Sequence, residues 1–180
     1  MKVPPSMKTL LLSLLVPVLV LVTTANSLVA AGNLADAFAD GKFALNARLR
    51  SEDVHQSGLR GAEALTLRTQ LGFSPAPFYG WTALVEAENS VAWDGEGDSQ
   101  AGLNPGGAGR AVVADPELTE ISQAWLAFRN GQTIATAGRQ RLVLDNARFV
   151  GDSGWRQNAQ TFDALTVRDK SFRNFEVTYA

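Results

Sequence analysis

From residue 43 onward apolar and polar side chains alternate. In FALNARLRSE, residues 43–52, Phe43, Leu45, Ala47 and Leu49 fall on one side and Asn46, Arg48, Arg50 and Glu52 on the other. A period of two predicts a strand, because successive side chains of an extended chain point to opposite faces. LTLRTQLGF, residues 65–73, repeats the pattern, with Leu65, Leu67, Leu71 and Phe73 opposing Thr66, Arg68 and Gln70. So does YGWTALVEAE, residues 79–88, where Tyr79, Trp81, Ala83, Val85 and Ala87 oppose Thr82, Glu86 and Glu88. Further strands are predicted over 119–129, 133–143, 160–169 and 174–180. Leu84 and Trp125 stand out as apolar residues on otherwise polar sides, and NLADAFADG, residues 33–41, reads as a polar lead.

The connections alternate too. SPAPF, NGQ and DKSFRN are short and turn-like, whereas VHQSGLRG, the 26 residues from Trp93 to Leu118 with their six glycines, and an arginine-rich stretch after the fifth strand are longer. Tight turns at one end and long loops at the other predict an all-β, up-and-down antiparallel transmembrane β-barrel. Alternation alone does not say which face is wet, and a secreted β-sandwich also alternates. Three features favour the barrel. The predicted strands run about 10 to 13 residues, near the span of a tilted membrane strand. Phe73, Phe78, Tyr79, Phe128 and Phe175 gather by the short turns, with Trp93 near the other rim, as in an interfacial girdle. The face assigned to lipid in the first five strands carries no charge on this reading, which places Arg48, Arg50, Arg68, Arg139 and Arg141 in the lumen with Glu52, Glu86 and Glu88 as counter-charges. Fixed guanidinium groups there would favour anions over cations.

Composition narrows the chemistry. Cysteine is absent and His55 is the sole histidine, so thiolate sites, disulfides and most histidine-based catalysis are excluded. GDSG, residues 151–154, has the serine corner of a trypsin-like protease, yet no histidine–aspartate context accompanies it, and no enzyme is expected. Sixteen basic against 18 acidic residues leave no nucleic-acid footprint. Asp94, Glu96 and Asp98 open like a calcium loop, but Ser99 and Pro105 stand where that loop needs Gly and Glu; a loose surface calcium site in the 93–118 loop stays open. NPGGAGRA lacks the Lys-Ser/Thr ending of a phosphate loop. No cofactor is implied. At the N-terminus, Lys2 and Lys8 precede an apolar run from Leu14 to Val22, interrupted by Pro17, and small residues at 29–31. This pattern predicts a secretory signal over residues 1–31. Its removal takes two lysines and no acids, leaving 14 basic against 18 acidic residues over 32–180.

The stretch RQRLVLDNARFVGDSGWRQN, residues 139–158, holds four arginines, two aspartates and two asparagines. With GRQRLVLDNARFVGDSGWRQNAQTFDAL (138–165), VVADPELTEISQAWL (112–126), LADAFADGKFALNARLR and LRTQLGF, the chain from residue 32 on resembles the alginate-export family of outer-membrane β-barrel porins. The resemblance implies a bacterial outer-membrane location after export, a monomeric barrel in contact with lipid, and an arginine-lined pore for an anionic solute such as a uronate polysaccharide. It also implies that Arg139, Arg141, Asp145, Asn146, Arg148, Arg156 and Asn158 lie at or near the pore constriction, and that the loop starting at Leu142 folds into the lumen. Seven strands fall short of the roughly eight of the smallest single-chain barrels, so this chain is expected to be part of a larger barrel. The alternatives are a general or small-organic-acid porin, or a secreted β-sandwich that binds acidic glycans.

Overall fold

The computed structural model describes residues 32–93 and 109–180; residues 1–31, where a signal is expected, and the carboxylates Asp94, Glu96 and Asp98 lie outside them. One helix, α1 (Leu34–Ala39), opens the described chain, and seven strands follow: β1 (Lys42–Val54), β2 (Ala62–Ser74), β3 (Trp81–Ala92), β4 (Leu118–Asn130), β5 (Thr133–Gln140), β6 (Phe162–Asp169) and β7 (Val177–Tyr179). They form one antiparallel sheet in chain order, each strand paired with the next. The up-and-down connectivity expected from the alternation is therefore present, and the sheet is open between β1 and β7.

The lead at 33–41 contains a helix rather than plain polar chain. Asn33 caps it, its Oδ1 accepting the Asp36 N–H at 2.9 Å, which satisfies one of the amides a helix start leaves unpaired. The Ala37 carbonyl accepts the Ala76 N–H at 2.8 Å and Phe38 stacks on Phe73, fixing α1 at the short-turn end of the first hairpin. β5 ends at Gln140, three residues earlier than its pattern suggests, because the chain leaves the ladder there and enters the long loop.

Register fixes the two faces. On one lie Phe43, Phe73 and Val85, then Leu45, Leu71 and Ala87, then Ala83, Leu126, Ala137 and Leu165. On the other lie Arg48, Arg68 and Ser90, then Asn46, Gln70, Glu88 and Glu120. Burial is inverted relative to a water-soluble protein. Leu45, Leu71 and Leu165 are each more than half exposed, while Arg68, Glu88 and Ser90 are 6%, 2% and 1% exposed. Apolar side chains remain outside and polar ones are enclosed, which suits a sheet whose apolar face meets hydrocarbon. The aromatic residues at the short-turn end pair across strands, Phe43 with Phe73 at 4.7 Å and Trp81 with Phe128 at 4.8 Å between centroids. Leu84 and Trp125, the two exceptions to the alternation, face each other across β3 and β4 as an apolar pair on the polar face.

One irregularity interrupts the ladder. Between β3 and β4 the pairing steps from Glu86↔Gln123 to Ala87↔Ile121, so Ser122 is an extra residue in a β-bulge. Opposite this part of β4, Gly138 has φ +119°, and a Cβ there would stand 2.3 Å from the Ala124 carbonyl oxygen. Only glycine allows β5 to approach so closely.

Candidate pore-face site

The loop between β5 and β6, residues 141–161, lies on the polar face of β1 and β2. Gln157, fully buried, is its hub. The Gln157 side-chain amide donates to the Thr66 carbonyl at 2.9 Å and the Thr66 hydroxyl at 2.8 Å, and its Oε1 accepts from Arg48 Nε at 2.8 Å. Arg48 also donates to the carbonyls of Gly154 and Arg156. Beside it, Arg50 Nη1 donates to Asp115 Oδ2 at 2.9 Å and to the Trp155 carbonyl at 3.0 Å, with Glu52 2.7 Å from Nη2. Asp115, 1% exposed, uses its second oxygen to accept the Gln157 N–H at 3.0 Å. Four loop carbonyl or amide oxygens thus meet the first two arginines. Those guanidinium groups hold the loop against the sheet.

A second cluster lies further along the same face. Glu88 Oε2 accepts from Gln70 at 2.5 Å, and Glu86 Oε1 accepts from Ser122 Oγ at 2.9 Å and Gln123 Nε2 at 3.1 Å. Arg141, the first loop residue, approaches Glu86 at 3.6 Å and both Glu88 and Asp152 at 4.0 Å. Arg68 reaches Asn46 and the Gln157 carbonyl at 3.3 and 3.4 Å. Arg68 Nε, Glu88 Oε1, Arg141 Nε and Arg156 Nη1 have no protein hydrogen-bond partner although they are buried. Buried polar atoms ordinarily have partners, so these four mark unspent hydrogen-bonding capacity on the polar face.

An antiparallel up-and-down sheet with an exposed apolar face and a loop folded over its charged face suits a segment of an up-and-down β-barrel. The alginate-export family model matches residues 40–178. The chain belongs to the alginate-export family. That family consists of outer-membrane transport proteins rather than enzymes. No curated protein and no solved structure gave a match to the chain.

In this alginate-export chain the expected site residues divide into three groups. Arg48, Arg50, Arg68 and Arg141 come together on the polar face with Glu86 and Glu88, and Arg156 and Asn158 join them from the loop. Asn158 Nδ2 donates to the Pro116 carbonyl at 2.7 Å, and Arg156 lies over the Trp155 ring at 4.0 Å. Asp145, Asn146 and Arg148 lie in an exposed part of the loop, where Asn146 Oδ1 accepts the Arg148 N–H at 3.2 Å and Asp145 has φ +52°. Arg139 is the correction. Register sets it between Ala124 and Asp163, on the face of Val85, Leu126 and Leu165, opposite to Arg48 and Arg68. The apolar face of the first five strands therefore does carry a charge. The alternation misplaced it because β5 is built of Ala, Thr and Gly, whose small side chains scarcely distinguish the two faces. Asp163 and Leu165 share that face, since β6 pairs with β5 without a break from Phe162 to Asp169.

Sequence reasoning missed Gln157, Asp115 and Thr66. Gln157 and Asp115 lie outside strands, so no alternation points to them, and Thr66 passes as one more polar residue of β2. The polar face also holds a cavity of about 420 Å³ between the loop residues Leu142 and Val143 and the strand residues Thr82, Trp125, Thr136 and Thr166.

Proposed function

We propose that this chain forms part of the wall of an outer-membrane channel that passes anionic solutes, above all a uronate-type polysaccharide, with lipid against the apolar face and solute against the polar one. The observation that carries the reading is the distribution of arginine on the polar face. Arg48 and Arg50 are occupied by loop carbonyls, Gln157, Asp115 and Glu52. Arg68, Arg141 and Arg156 each keep a donor nitrogen with no protein partner. The first pair anchors the loop; of the second set, Arg141 and Arg156 are partly exposed and offer a guanidinium to a passing carboxylate, while Arg68 lies beneath the loop and adds fixed positive charge. Guanidinium forks two N–H groups toward a carboxylate, and a ladder of incompletely occupied ones lets an anion bind and leave, as conduction requires.

The transport step is electrostatic guidance with no covalent chemistry. Glu86, Glu88 and Asp152 beside Arg141 keep it from holding a polyanion too tightly. Replacing Arg141 and Arg156 together by Gln in the native outer-membrane protein should lower its anion-over-cation permeability. The reversal potential across a planar bilayer in a KCl gradient measures this, and an unchanged value sinks the assignment. Current block by oligouronates, compared with acetate and succinate, separates a polysaccharide channel from a small-acid porin.

A further inference from the structure

We propose that Arg139 and Asp163, on the apolar face, are positioning residues that set the Glu86 carboxylate on the opposite face by holding the bulge in β4. Arg139 Nε and Nη2 donate to the two Asp163 oxygens at 2.9 and 3.0 Å. That fork is full, and the adjacent carboxylate repels a lipid phosphate or a uronate, so the pair is not an anion site. The third donor is the informative one: Arg139 Nη1 reaches the Ile121 carbonyl at 3.2 Å. Ile121 immediately precedes the extra residue of the bulge, where ladder pairing is disrupted and a carbonyl on the lipid side lacks water to satisfy it.

The bulge has a consequence on the other face. In a regular strand Ser122 and Gln123 would point to opposite sides. Here both reach Glu86 Oε1, at 2.9 and 3.1 Å, and Ser122 Oγ also donates to the Glu86 carbonyl at 3.2 Å. The same Oε1 is the atom that faces Arg141 at 3.6 Å. Gly138, one residue before Arg139, allows β5 to press against Ala124 and so brings the guanidinium within reach of the bulge. The chain of contacts is continuous from Asp163 through Arg139, the Ile121 carbonyl and Ser122 to Glu86.

The inference rests on the channel reading only for its readout. The test uses the native outer-membrane protein in planar bilayers, with heat-modifiable migration as the check that the barrel has folded. Arg139→Lys keeps a charge but loses the fork, and Ser122→Ala removes the link from bulge to carboxylate. Each is expected to change the anion/cation permeability ratio about two- to fivefold in the same direction, and the double variant no further than the larger single, as for residues in one network. A folded Arg139→Lys protein with an unchanged ratio, or two effects that multiply, overturns the proposal and leaves the pair a stabilising contact only. If Arg139→Lys does not fold, Asp163→Asn is held to the same two outcomes. A wild-type protein without anion preference sinks the anion-channel reading alone, because a change of ratio in either direction on Arg139→Lys still supports the positioning role.

Discussion

Arg68 and Arg139 belong to the same sheet and have opposite surroundings. Arg68 is 6% exposed on the polar face, beneath the loop, and is shared among Asn46, the Gln157 carbonyl and nearby carboxylates. Arg139 stands on the apolar face and gives its fork to a single carboxylate, Asp163. An arginine on the enclosed face has several partners because the loop brings carbonyls to it. One on the apolar face must bring its own counter-charge, since its apolar neighbours offer none. The same residue type is thus enclosed beneath a loop among several partners in one place and held in a single carboxylate fork in the other, and only register tells them apart.

The largest test of this contrast is on the enclosed side. Asp115 accepts from Arg50 and from the Gln157 amide with both oxygens while almost fully buried. Asp115→Ala leaves the half-buried Arg50 with Glu52 and the Trp155 carbonyl but strands the buried Gln157 N–H. The unsatisfied N–H costs about 1–3 kcal/mol and the lost charge-assisted bond to Arg50 about 1.5–3 kcal/mol. The expected result is a lower urea midpoint for the heat-modifiable band, with proteolysis appearing within residues 141–161 as the loop comes free. A loop that stays protected in Asp115→Ala would mean that Gln157 and the guanidinium contacts to the loop carbonyls anchor it without Asp115.

Next is the outer face. Leu126 lies between Ala83 and Ala137 in the apolar stripe and is 48% exposed. Leu126→Arg places a cation there without the carboxylate that Arg139 has, at a cost of about 2–4 kcal/mol near the bilayer midplane. Folding yield into lipid vesicles should fall, whereas the same exchange on a water-facing strand would be nearly neutral. Undiminished insertion would mean that this face does not meet lipid and would restore the β-sandwich.

How much of this was legible beforehand follows the same division. β1 to β4 were readable because leucine and phenylalanine alternate there with arginine, glutamate and glutamine, so each strand announces its faces. β5 was readable as a strand but not in its facing, because Ala135, Ala137, Thr136 and Gly138 carry almost no contrast, and Arg139 was assigned by its charge instead of its register. The bulge at Ser122 left no trace in the pattern, since Ser122 and Gln123 are both polar and a one-residue insertion is invisible without the partner strand. The loop was harder still. Its arginines drew attention as a cluster, yet what fixes it to the sheet is Gln157, a neutral residue whose importance lies in being fully buried against Thr66 and Arg48. Long-range pairing of that kind, more than 90 positions apart in sequence for Gln157 and Thr66, leaves no local signature.

The smallest expected effect sharpens the contrast at the short-turn rim. Trp81 and Phe128 pair across β3 and β4 with centroids 4.8 Å apart and planes at 43°, both partly exposed on the apolar side. Phe128→Leu keeps an apolar side chain at the same position and removes only the ring, so the loss is the aromatic pair contribution of about 0.5–1.5 kcal/mol. The polar-face network is remote from this pair, so reversal potential should be unchanged while the urea midpoint drops slightly. Trp81 fluorescence should report which solvent surrounds the pair. If the rim sits at the membrane interface, quenchers carried on lipid near the headgroups should reduce its emission more than quenchers placed at the acyl-chain ends, and Phe128→Leu should leave that order intact. The reverse order would move the aromatic rim into the bilayer centre and shift the whole apolar band, with Arg139 and Asp163, relative to the lipid.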